Sequence, residues 1–308
     1  MKLWIMAAGF ISVSVLQAEP VRTQYVSPQA VWAAHLDLDL VKNAQGGLCA
    51  WLMEQTYEPE TARKLAGAQR FLGFDLRQAL SGVTVYGLTQ DASRSAALFS
   101  GRFDVERLQE LLGAADSYSV KEVEGYEIHS WTKKDDPEER SFGAFRGTNL
   151  LFFASASDVL LHALKVVDGK EPGGSAAGVL DFVQESALLT AAFKSGQPLD
   201  WPKAGMLKMA SAGAFTIEES GDDVRIMLAL EVAEAANAEN IYRVAEGLRA
   251  MVLLSSEQKP EMAELARRAV VEKKEGSVLI ALNVPATQLV KVLKEGVALK
   301  KVKKAAMQ

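Results

Sequence analysis

Val83-Thr84-Val85-Tyr86-Gly87-Leu88, then Asp91-Ala92-Ser93, then Ala96-Ala97-Leu98-Phe99-Ser100-Gly101-Arg102-Phe103-Asp104 is the stretch that decides the fold class. The first run is rich in β-branched and aromatic residues, as half-buried strands are. The Asp-Ala-Ser turn sends the chain back into a second strand over Ala96–Phe103. Asp104 can cap a helix in which Val105, Leu108, Leu111 and Leu112 share a face, and Gly113 ends it. Phe103, just before the cap, can staple onto Leu108. Two strands followed by an amphipathic helix, all within about thirty residues, predict an α+β protein rather than an alternating α/β one.

The same order recurs about 129 positions later. Ala212–Glu219 predicts a strand, Gly221-Asp222-Asp223 a turn, and Val224–Val232 the return strand, with Val224, Ile226, Leu228 and Leu230 alternating onto one face. Asn237 is placed to cap a helix carrying Ile241, Val244, Ala245, Leu248, Met251 and Val252 at helical spacing. Further on, the strand after Gly147 and the helix from Ser157 to Gly169 match the strand after Gly276 and the helix from Pro285 to Gly296. Three elements at one offset suggest duplication, against chance agreement of common patterns. Each half is less regular at its start. Val31–Leu38 predicts a strand, Asp39–Gln55 a helix, and Pro59–Leu72 a second helix with Ala62, Leu65 and Ala66 inward. Tyr118–Val123 and Tyr126–Trp131 form a hairpin about Glu124-Gly125, and Arg140–Phe145 follows the charged loop Lys133–Glu139. The second half opens with a strand over Ala187–Phe193 and adds a helix over Pro260–Ala269, with Met262, Leu265 and Ala266 inward.

This order predicts two related split-βαβ, ferredoxin-like lobes: antiparallel sheets with helices on one face. The boundaries are a first lobe over 19–170, a Gly/Pro-rich linker over 171–185, a second lobe over 186–298 and a lysine-rich tail over 299–308.

Residues 1–18 read as a secretory signal peptide. Lys2 supplies the positive start, Leu3–Leu16 the uncharged apolar core, and Ala18 a small residue at the cleavage point. The apolar run is shorter than the roughly 20 residues that a membrane span requires. Removing it takes the net charge from −5 to −6, because Lys2 is its one charged residue. That acidity argues against a nucleic-acid partner. No Asn-x-Ser/Thr sequon is present, so the expected compartment is the bacterial periplasm or the exterior. The single cysteine, Cys49, sits in an apolar stretch and allows no internal disulfide.

Motifs for chemistry are few. No metalloprotease His pair, Cys-x-x-Cys, nucleophile elbow or Walker loop occurs, and no metal or cofactor is expected. Ser130-Trp131-Thr132-Lys133 and Ser256-Glu257-Gln258-Lys259 share the Ser-x-x-Lys spacing, but a strand and a connection respectively deny them one helical turn. His162 reads as a boundary residue and His129 shares a strand face with Glu127 and Trp131, each expected to be hydrogen-bonded or exposed. His35 and Asp37, two apart on one strand face, are the candidate binding pair, for a cation or as an acid–base couple; the plainer alternative is a solvated strand edge with Asp39 capping the next helix. Lys300, Lys301, Lys303 and Lys304 are the candidates for contact with an anionic surface, against a frayed helix end.

Phe71-Leu72-Gly73-Phe74-Asp75-Leu76-Arg77, Gly82–Gly87, Gly101–Asp104 and Val166-Val167-Asp168-Gly169-Lys170 resemble a pattern of uncharacterised exported bacterial proteins. The resemblance covers about a third of the chain and implies export without assigning catalytic residues. The function expected is non-enzymatic: binding or scaffolding of a protein, polymer or lipid of the cell envelope. The alternatives are a hydrolase of unfamiliar type with its site between the lobes, or a peripheral membrane-associated protein.

Overall fold

In a computed structural model of the chain, every strand of the described residues joins one antiparallel sheet of 12 strands. The described residues are 22–90, 92–115, 117–133, 136–174, 187–194, 205–257 and 260–306, with side chains omitted at 92, 133, 136–139, 206 and 297–306. The predicted signal peptide, most of the predicted linker and the last two residues of the tail therefore lie outside them.

The central strands are the first of each half: β1 (Trp32–Asp37) and β8 (Ala187–Lys194), paired antiparallel with His35 opposite Thr190. Outward from β1 run β2 (Leu80–Gly87), β3 (Ser95–Gly101), β7 (Leu150–Ala154), β6 (Asp136–Arg146), β5 (Tyr126–Lys133) and β4 (Ser119–Val123). Outward from β8 run β9 (Ala212–Ser220), β10 (Asp223–Glu231), β12 (Ser277–Pro285) and β11 (Val270–Lys274). Hairpin chemistry sets much of this register. Glu124 and Gly125 both have positive φ, as the tight β4–β5 turn requires, and Gly221 does the same between β9 and β10.

The α+β class and the antiparallel pairing stand as expected, but separate lobe sheets do not: β1 and β8 are bonded neighbours, so one sheet runs through both halves. Nor do the helices keep to one face. Strand alternation puts Tyr86, Leu98 and Phe152 on one side, where α6 (Ser157–Val167) covers them with Val159, Leu160 and Leu164. Leu36, Ile217, Ile226 and Leu282 point to the other side, under α1 (Leu38–Asn43), α2 (Gly47–Gln55) and α9 (Ala286–Ala306). On that side, too, Leu230 and Val278 meet Ala238 and Ile241 of α7 (Ala235–Leu254).

Several local expectations are corrected. The helix predicted over 39–55 is two, α1 and α2, because Gly46 and Gly47 interrupt it, the latter at φ +74°. The cap of α1 is Asp37, not Asp39. In α3 (Pro59–Leu72) no residue is fully buried: of the predicted inward positions Ala62 and Leu65 are half-buried, while Ala66 is exposed. Asn237 lies inside α7 rather than capping it. In α8 (Pro260–Arg268) Ala263, Leu265 and Ala266 are buried while Met262 is exposed. Strand β11 was not anticipated, and α9 runs through Gly296 to Ala306, so the backbone at the tail lysines is helical. Asp75 caps the short α4 (Leu76–Ala79), accepting from the Arg77 amide at 2.9 Å, and Asp104 caps α5 (Val105–Gly113) as predicted, accepting from the Arg107 amide at 3.0 Å.

Candidate functional site

Three places among the described residues gather polar groups beside the sheet that could do chemistry. The first holds the predicted pair. His35 and Asp37 share the buried face of β1, at 5% and 0% exposure. They lie in the middle of the sheet, so the solvated-edge alternative is excluded. His35 Nδ1 lies 2.9 Å from Thr84 Oγ1, its cross-strand neighbour on β2. Asp37 Oδ1 accepts from the amides of Asp39 at 2.9 Å and Leu40 at 3.0 Å, which starts α1. His35 continues a row of directly opposed polar residues: Thr84 on β2, Thr190 on β8 and Thr216 on β9. Thr190 and Thr216 are both buried. A narrow recess beside His35 is lined by Arg22, Tyr25, Ser100 and Leu150.

The second place was not singled out from the sequence. Ser27 Oγ lies 2.7 Å from His162 Nε2 on α6, and His162 Nδ1 is hydrogen-bonded to the Glu171 carboxylate. With Nδ1–H directed to Glu171, Nε2 of the neutral ring accepts the Ser27 hydroxyl proton. This is the order of a serine–histidine–acid relay. The hydroxyl also accepts from the Gln29 amide at 3.1 Å, and Ser27 has no exposed surface. Lys165 ties Glu171 (3.6 Å) to Glu124 of the β4–β5 turn (2.8 Å). The Tyr86 hydroxyl is buried with no hydrogen-bond partner among the described residues, and burial, then the Glu171 charge, pushes its pKa up. Sequence spacing could not reveal this set: Ser27 and His162 are 135 positions apart.

The third place is a cleft of about 450 Å³ between the α1–α2 connection and the β9–β10 turn, bordered by Asp39, Asn43, Gln45, Cys49, Glu219 and Asp222. Two of its acids are engaged. Glu219 accepts from the amides of Leu48 at 2.6 Å and Cys49 at 2.8 Å, standing as an internal cap on α2, and Asp39 pairs with Lys42 at 2.5 Å. A carboxylate there suits the positive end of the helix. Burial first, then the hydrogen bond and charge of Glu219, raises the pKa of Cys49 well above the ordinary thiol range. Among the described residues no three His, Cys, Asp or Glu side chains converge as a metal site, and no helix is long and apolar enough to cross a membrane.

No protein-family model matches the chain and no curated protein matches it in sequence, in keeping with the resemblance to uncharacterised proteins. Solved structures of TP0453 are similar in shape. Crystal form IV aligns at TM-score 0.48 and 12% identity, over 90% of this chain and 97% of that one. Crystal form III aligns at 0.48 and 11%, over 91% and 99%. Crystal form I aligns at 0.46 and 11%, over 91% and 98%.

Proposed function

We propose that the chain is an exported, non-enzymatic binding or scaffold protein of the bacterial cell envelope, acting in the periplasm or outside the cell on a protein, polymer or lipid. The observation that carries this reading is the complete burial of Ser27. Within the relay-ordered set the hydroxyl is closed over, while His162 and Glu171 stay part-exposed, and the set cross-links the chain before β1 to α6 and to the segment after it. The other candidate groups are similarly occupied, His35 with Thr84, Asp37 with α1 and Glu219 with α2. The division into 19–170 and 186–298, and a duplication behind it, belongs to the same proposal. It is supported by the mirrored pairing order outward from the centre, β1-β2-β3-β7-β6 against β8-β9-β10-β12-β11.

The hydrolase alternative is favoured by one observation, the Ser27–His162–Glu171 order itself, and would require Ser27 to be uncovered. A fluorophosphonate probe separates the two. No adduct at Ser27 is expected in the folded protein, and no hydrolysis of short-chain esters. Labelling at Ser27 that disappears in His162→Gln would overturn the non-enzymatic reading.

A further inference from the structure

The sheet ends on one side in β4, and that edge is open. Val120, Lys121 and Glu122 are exposed, Val120 at 43%. The β4–β5 turn fixes which backbone groups face outward. Its two central residues, Glu124 and Gly125, both have positive φ, so Val123 and Tyr126 close it as a hydrogen-bonded pair. Bonded pairs then alternate along the strand. Lys121–Ile128 and Ser119–Ser130 exchange bonds, while Glu122–Glu127 and Val120–His129 do not. The N–H and C=O groups of Val120 and Glu122 therefore point away from β5, where β4 has no neighbour among the described strands.

The side chains add charge to this edge. Glu122 and Glu127 face each other in a non-bonded pair, the closer of the two pair geometries, and like charges so placed are destabilising. Neither carboxylate has an ion-pair or hydrogen-bond partner among the described residues. Charge on an edge strand ordinarily discourages pairing, and at β11 it is neutralised within the fold, where Lys273 pairs with Glu239. At β4 the two acids instead form a row that runs across the hairpin to the open edge, and Lys121 stands on the other sheet face.

Building on the binding role above, we propose that the edge of β4 takes up an extended segment of another polypeptide as an added antiparallel strand, with a lysine or arginine of that segment opposite Glu122. Directly opposed residues share a sheet face. The basic residue therefore continues the Glu127–Glu122 row and relieves its repulsion. The next residue lies opposite Lys121 on the other face and is acidic, and the one after it lies opposite Val120 and is apolar. A second copy of this chain does not fit. Paired over its full length about a two-fold axis, β4 would set Lys121 against Lys121 and leave Glu122 opposite Val120.

A capped heptapeptide, Thr-Thr-Lys-Glu-Val-Thr-Thr, titrated into the purified chain and followed by amide NMR and hydrogen exchange, tests this. The expected result is saturable binding in which the amides of Val120 and Glu122 gain protection, while that of Lys121, already bonded to β5, does not change. Exchanging Lys and Glu in the peptide should weaken binding about tenfold, and the double variant Lys121→Glu, Glu122→Lys should reverse that preference. Val120→Pro is the sharper variant. It removes an outward donor without touching the β4–β5 bonds, so it should abolish binding and leave the urea midpoint close to that of the parent. No binding at about 1 mM peptide overturns the proposal. So does binding indifferent to Val120→Pro, or protection of the same amides by phosphatidylcholine–phosphatidylglycerol vesicles and not by the peptide. Each of these outcomes leaves the non-enzymatic reading standing, because that reading falls on labelling of Ser27.

Discussion

Replacing Gly47 by alanine should remove more stability than its small size suggests, because the residue is constrained twice. Its φ of +74° lies in the left-handed region, where an L side chain costs about 1–2 kcal/mol. A Cβ there would also stand 1.7 Å from Glu219 Oε1, so the carboxylate must leave. Eviction breaks its bonds to the Leu48 and Cys49 amides, the cap of a nine-residue helix, worth about 1–2 kcal/mol. Together Gly47→Ala should lose about 3 kcal/mol. Glu219→Ala alone should lose about 1–2 kcal/mol for the cap. In the Glu219→Ala background, Gly47→Ala should then lose the backbone strain alone, leaving a coupling of about 1–2 kcal/mol between the two sites. Urea unfolding, followed by the fluorescence of buried Trp51 in α2 and by far-UV circular dichroism, measures all four states of the cycle. Strict additivity, with the double variant losing the sum of the singles, would refute the steric argument.

Two further outcomes follow from titrating groups. Cys49, buried and with its thiol pKa raised, should resist iodoacetamide at pH 8.5 in the folded protein and react once urea unfolds it. By the same linkage, the folded chain keeps this thiol protonated while the unfolded chain ionises it above about pH 8.5. Stability should therefore fall as pH rises past that point, and Cys49→Ala should remove that part of the slope. His129 is buried between Tyr118 and Phe145, and burial lowers its pKa. The folded state then binds fewer protons than the unfolded one below about pH 6.5. Acidification through that range should lower Tm less in His129→Phe than in the parent; equal slopes would show that the ring is not held neutral.

Strands are legible in the sequence through β-branched and aromatic content and, in places, through alternation. Val83–Leu88 shows the first and Val224–Val232 the second, each within a few residues of β2 and β10. What local pattern does not carry is which strands meet. β1 and β8 are separated by some 150 residues, and nothing in Trp32–Asp37 announces that both of its edges are paired. The solvated-edge alternative for His35 and Asp37 failed on that point. The amphipathic spacing of α3 buries its inward side only halfway, and β11, a five-residue edge strand with three charged side chains, shows no apolar pattern to read. Edge strands carry such charges to discourage further pairing, so a strand's polarity here reports its position rather than its absence.

The same separation between local signal and long-range partner explains how little of the candidate site could be read. Glu219 and Cys49 come together across 170 residues, and Ser27 and His162 across 135. Each pair lies in a seam where a helix end or a chain turn meets the sheet. Helices packed on opposite faces of one sheet create such seams on both sides, and the polar groups enclosed there must be satisfied as the price of closure. That requirement by itself assembles relay-like and acid–thiol sets. Geometry of this kind becomes evidence for catalysis only when a substrate can reach it. For Ser27, with no exposed surface, the burden therefore falls on a probe finding the hydroxyl and not on the distance between it and His162.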